Sequence, residues 1–154
     1  MPNMDAVLKK TLGLIDTFGY SVIAVFPDDE TGFPGFAYTV GLTAKGLPEL
    51  IMTGLHHSQS QPLLRLAAEQ QLEEGPFVIG NRYDRLIEGM DCAVTAVSEE
   101  NQENLLRMAY AVMPPGKTLR ALQVVWPDSQ GRFPWEPGFE ERFAQIQRLL
   151  GAVQ

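Results

Sequence analysis

The chain has 154 residues, 45% hydrophobic and 20% charged, which is enough for one domain with a packed core. Its net charge of −7 and pI near 4.8 argue against the phosphate-neutralising surface that nucleic-acid binding needs, and leave a basic protein as the partner that the charge favours. One cysteine, Cys92, excludes an internal disulfide framework and fits a reducing compartment.

Asn3 to Phe18 reads as an amphipathic helix, capped by Asn3, with Leu8, Leu12, Ile15 and Phe18 as its apolar stripe and Gly19 as its stop. Tyr20 to Phe26 is β-branched and aromatic and reads as a strand. Pro27 to Gly35 is a loop carrying three adjacent acids, Asp28, Asp29 and Glu30, which read as a solvated turn because they lack calcium-loop spacing. Phe36 to Leu42 and Glu49 to Leu55 are two strands joined by the short break Thr43 to Gly46, a pattern that predicts an antiparallel hairpin.

His56 to Gln59 leads to a helix over Ser60 to Glu74, with Ser60 as cap, the stripe Leu63, Leu66, Ala67 and Gln70, and Gly75 as stop. Phe77 to Gly80 reads as a short strand, Asn81 to Asp84 as a turn, and Cys92 to Val97 as a further strand. Ser98 caps a third helix whose buried stripe is Leu105, Met108, Ala109 and Val112, ended by Pro114-Pro115-Gly116. Leu122 to Trp126 is the last strand. A final helix is predicted over Pro137 to Leu150, where Phe139, Phe143, Ile146 and Leu150 fall at helical spacing. The order predicts an α+β fold: a single domain over residues 1–154, with a mostly antiparallel sheet of about five to six strands and about four helices packed on it.

Gln123 to Phe139 is the most specified stretch, with both tryptophans and three prolines. Pro127 stops the strand, Asp128 and Gly131 fit a type I turn, and Pro134 holds Phe133 extended. Trp126, closing a strand, is expected in the core. Trp135, between two prolines, is expected to be partly exposed, and Arg132 and Glu136 supply polar contacts beside it. Tyr38 and Thr39 alternate across a half-buried strand and are further candidates for binding. His56 and His57 complete the set. They can serve as acid or base, but adjacent side chains of an extended segment point opposite ways, and no His-Glu-x-x-His motif or second cysteine joins them, so no metal is expected. Cys92 opens an apolar strand and reads as buried. Phosphate loops, dinucleotide fingerprints and nucleophile elbows do not occur.

The segment Phe36-Ala37-Tyr38-Thr39-Val40-Gly41-Leu42 with Gly46-Leu47-Pro48-Glu49-Leu50, and the tail Gln123 to Gly138, resemble the bacterial domain-of-unknown-function family numbered 4262. The resemblance spans about Gly19 to Leu149. It implies a shared fold and carries over no catalytic residue. The hairpin also echoes flavin-binding split barrels, as an analogy of strand, turn and strand.

The functional expectation is a cytoplasmic, non-catalytic binding protein. The start, Met-Pro-Asn-Met-Asp, lacks a basic and apolar signal segment, and no run approaches the ~18 apolar residues of a membrane helix. An acidic partner of another protein, such as an immunity protein neutralising a bacterial toxin, is the concrete form of that expectation. The alternative is a small-molecule-binding protein or enzyme, flavin-related in one version, with its site between the Tyr38 strand and the Trp126–Glu136 loop.

Overall fold

A computed structural model describes residues 4–151. Six strands, β1 (Ser21–Val25), β2 (Phe36–Val40), β3 (Glu49–Thr53), β4 (Arg82–Ile87), β5 (Met90–Ala96) and β6 (Ala121–Val125), form one sheet in the order β1-β2-β3-β6-β5-β4. Every neighbouring pair is antiparallel except β3 and β6, which run parallel at the centre. The sheet is therefore two antiparallel three-stranded units joined along β3 and β6. The fold is α+β, and the predicted β2–β3 hairpin is present, turned by a 3-10 segment, Leu42–Lys45.

Helices cover both faces of the sheet. On one, α2 (His57–Glu74) buries Leu64, Ala67 and Ala68 against Val22, Ala37, Leu50, Met52, Cys92, Leu122, Val124 and Trp126. On the other, α1 (Met4–Phe18) and the pair α3 (Glu99–Leu105) and α4 (Arg107–Val112) close over Phe36, Tyr38, Val40, Ile51 and Ala121. With both faces covered, β2, β3 and β6 are buried along their whole length. Tyr38 and Thr39 are therefore both buried, not alternating across a half-buried strand as expected, because helices cover both faces of β2. Each large apolar side chain so enclosed contributes about 1.5–3 kcal/mol.

The helix edges and the chain's last third differ from expectation. The Asn3 cap lies outside the described residues. In α1 the inward face is Val7, Leu8, Thr11 and Ile15, while Leu12 and Phe18 face solvent. Helix α2 starts three residues before Ser60, at His57, because the His56 ring caps it, and its buried face carries Leu64, Ala68 and Gln71 while Leu66 is exposed. The third predicted helix is broken at Leu106, whose backbone leaves the helical region so that its side chain can enter the core between α3 and α4.

Phe77 to Gly80 is not a strand. Phe77 is a plug: its N–H donates to Gln71 Oε1 and its ring stacks on Tyr83, 4.0 Å away. The predicted turn at Asn81–Asp84 is instead the start of β4. The reversal comes later, at Glu88-Gly89, where Gly89 takes a positive φ of 78° that a two-residue hairpin turn requires.

The predicted final helix, Pro137 to Leu150, is reduced to one turn, α5 (Glu141–Ala144). Beyond it the chain is held to β6 by glutamine side chains rather than by helical bonds. Gln147 accepts from the Trp126 N–H through Oε1 and donates to the Trp126 carbonyl through Nε2. Gln123 accepts from Leu150 N–H and donates to the Arg148 carbonyl. Gly54, at φ 90°, permits this close docking, since a Cβ there would lie 2.6 Å from the Ile146 carbonyl oxygen.

Candidate functional site

A large cleft opens at the carboxyl ends of the two central parallel strands. After β3 the chain turns through Gly54 and Leu55 into α2, and after β6 it continues as Trp126-Pro127-Asp128-Ser129. Leu63 of α2, Leu86, Ile87 and Met90 of the β4–β5 hairpin, and Phe143 and Ile146 of the tail complete the wall. The volume is about 700 Å³ and the lining is mainly apolar. A crevice outside the carboxyl ends of parallel strands is where open sheets with covered faces place ligands, and this size suits a drug-sized molecule.

Trp126 is buried, as its place at a strand end implies. Its Nε1–H donates to the Thr53 carbonyl at 2.8 Å, which ties the end of β6 to the end of β3, and Phe143 meets its ring edge-on at 5.2 Å. The indole is thus one fixed wall of the cleft. His56 stands at the rim. Its Nδ1 accepts from Ser58 N–H at 3.2 Å, which leaves Nε2 to carry the proton of the neutral ring. Contrary to the expectation that adjacent rings diverge, His56 and His57 lie 4.1 Å apart between centroids, because His56 is the cap and His57 the first helical residue. His57 then packs edge-on against Phe26. Among the described residues, no group of three or more His, Cys, Asp or Glu is placed to hold a metal ion.

Asp128 lines the cleft too, and it builds the loop behind it. Oδ1 accepts from the N–H groups of Gln130 and Arg132, and Oδ2 from Glu140 N–H and Arg132 Nε. Burial pushes this carboxyl up, but the donors from Arg132, Glu140 and Gln130 outweigh it and hold the group below its ordinary range. Arg132 is thereby a loop clamp, 3.1 Å from Asp128 Oδ2. Glu136 closes the next turn by accepting from Phe133 N–H. Trp135 is 37% exposed, stacked flat on buried Phe133 at 5.3 Å.

Tyr38 and Thr39 are not brought to this cleft. Tyr38 belongs to the opposite face of the sheet from Trp126, where its hydroxyl accepts from Met108 N–H. There it lines a second cleft of about 570 Å³ with Phe33, Phe36, Leu105 and Arg107. Burial pushes its phenol up. Thr39 serves the hairpin: its hydroxyl donates to Glu49 and accepts from Leu50 N–H. Glu49 is completely buried and also accepts from Leu42 N–H and from the N–H and hydroxyl of Thr43. Burial raises its carboxyl and these donors oppose the rise. Cys92 is buried and its thiol is pushed up to about 12 by burial and by Asp91, which makes it inert.

The apolar lining from Leu63, Leu86, Ile87, Phe143 and Ile146 was missed from the sequence. These residues come from three distant segments and only Phe143 and Ile146 shared a visible pattern, the false helical one.

The fold and cleft define an α+β chain with a ligand-sized crevice at the end of its central strands. The chain belongs to the family described as Domain of unknown function (DUF4262), whose model matches residues 14–140, as its hairpin and tail motifs implied. No curated protein and no solved structure matches it. No helix among the described residues is long and apolar enough to cross a membrane.

Proposed function

We propose that this protein is a non-catalytic binding protein of the cytoplasm that takes a planar, largely apolar small molecule into the cleft beside Trp126. The observation that carries the reading is the cleft's construction: a rigid indole wall, apolar sides from three segments, and a rim with one ring nitrogen to offer, at the carboxyl ends of β3 and β6. Of its three titratable groups, His56 caps α2 through Nδ1, both oxygens of Asp128 accept loop donors, and Glu88 lies exposed in the β4–β5 turn, so the site positions a ligand rather than moving its protons. Calorimetric titration with flavin mononucleotide and with simple aromatic acids tests the reading. Binding should occur and should be lost in Ile146→Arg, which fills the mouth from an exposed position while leaving the fold intact. Absence of binding across both classes, or binding indifferent to Ile146→Arg, would count against the cleft.

A second reading, an acidic partner of a basic protein, rests on the net charge of −7 and on one edge of the sheet as the place of docking. The edge strand β1, Ser-Val-Ile-Ala-Val, carries no charge, whereas the other edge, β4, carries Arg82, Asp84 and Arg85 and a bulge. Charged and bulged edges resist strand addition and plain ones accept it. A basic partner chain docking there would be lost on Val25→Lys and weakened by salt. Capture that survives both changes would remove this reading.

A further inference from the structure

A small pocket stands apart from both clefts, where the start of β4 meets β5. It is a surface pocket lined by Arg82, Ala93, Thr95, Trp135, Ile79 and the Gly80 main chain, with a volume of about 140 Å³. Arg82 pairs with Ala93 across the hairpin, and Thr95 lies two residues further along the same face of β5. Thr95 is 5% exposed, and its hydroxyl has no hydrogen-bond partner among the described residues. A buried hydroxyl of this kind normally has one. Arg82 is in none of the three ion pairs among the described residues, which join Arg85 to Glu74, Arg132 to Asp128 and Arg142 to Glu140. One buried ring, Phe133, holds both remaining walls in place: the Arg82 guanidinium carbon lies 4.4 Å from its centroid and Trp135 stacks on it at 10°.

We propose that this pocket binds a small planar carboxylate, with the Arg82 guanidinium and the Thr95 hydroxyl donating to the carboxylate oxygens and Trp135 covering the planar group. A guanidinium matches a carboxylate in shape and charge, and no acid lines the pocket to repel one. The volume is close to that of a cavity that takes a six-membered carbon ring.

The two tryptophans give the test a built-in control, because Trp126 lines the large cleft and Trp135 this pocket. Benzoate titrated into the full chain should move the Trp135 indole N–H resonance in a saturable way, independently of any movement of the Trp126 signal. Benzamide, the same shape without the charge, should bind about tenfold more weakly or worse. Arg82→Gln should lose the response. Because that change also removes a contact to Phe133, Thr95→Val is the second arm. It should weaken benzoate binding yet leave the unliganded protein at least as heat-stable, since a hydroxyl without a partner supports nothing in the fold. A Trp135 signal unmoved by benzoate, equal binding of benzamide, or a Thr95→Val protein that melts earlier and binds unchanged would overturn the assignment. This test is independent of the large cleft, whose ligand reports on Trp126.

Discussion

Trp126 is held at every polar point: its indole donates to Thr53, its N–H to Gln147, and its carbonyl accepts from Gln147. Trp126→Ala should therefore lose packing and one buried hydrogen bond together, about 3–5 kcal/mol of stability. Trp135→Ala should cost less, since that ring is over a third exposed, with one stacking partner. Denaturant unfolding of both variants checks the order, and a larger loss at Trp135 would reverse it. Asp128 makes a prediction about acid. Its folded pKa is depressed below 3.8, so the stability it contributes is present above that value and is lost as pH falls through the lowered folded one. Asp128→Asn should lower the melting temperature near neutrality and flatten its fall as pH drops below about 4. A mutant curve parallel to wild type would show that the loop does not depend on the charge. Glu49 has the opposite sign: its folded pKa is raised above 4.5, so its contribution is fully present below 4.5 and fades as pH rises through the folded value.

At the scale of elements, the tail is attached to the sheet by two amides and by the Thr53 hydroxyl, which donates to the Arg148 carbonyl. Gln147→Ala would strand the buried N–H and carbonyl of Trp126, at about 1–3 kcal/mol for each unpaired group. The measurement is hydrogen exchange. The tail around Gln147 and the Trp126 amide should lose protection first, while β2 and β3 keep theirs. Gly54→Ala should have the same local signature, because its Cβ would collide with the Ile146 carbonyl. The same contacts explain what the sequence concealed. Phe139, Phe143, Ile146 and Leu150 keep helical spacing, but polar Gln147 is buried alongside Leu150, and Ile146 is exposed. Hydrophobic periodicity has no means of registering a glutamine that replaces backbone pairing. The strands were legible where composition and burial agree, as in Phe36–Val40 and Ala121–Val125. Val78 and Ile79 imitated a strand while lying exposed, and β4 was hidden by Arg82, Asp84 and Arg85, which suit an edge.

For the whole molecule, function rests on topology. Only the β3–β6 pair is parallel, and that pairing sets two carboxyl ends side by side and opens the cleft between α2 and the tail. The tryptophan that lines it was visible in the sequence, but Leu86 and Ile87, which share the lining, were not, because strand order decides their place. Tyr38 and Trp126 each stand out in the chain, yet the sheet separates them onto opposite faces. The most direct measurement uses a Trp135→Phe protein, in which Trp126 is the single indole, titrated with the ligand found by calorimetry and followed by emission. A saturable change with the calorimetric affinity, lost in Ile146→Arg, is the predicted result. Binding by calorimetry with no change in Trp126 emission would place the ligand elsewhere and contradict the account.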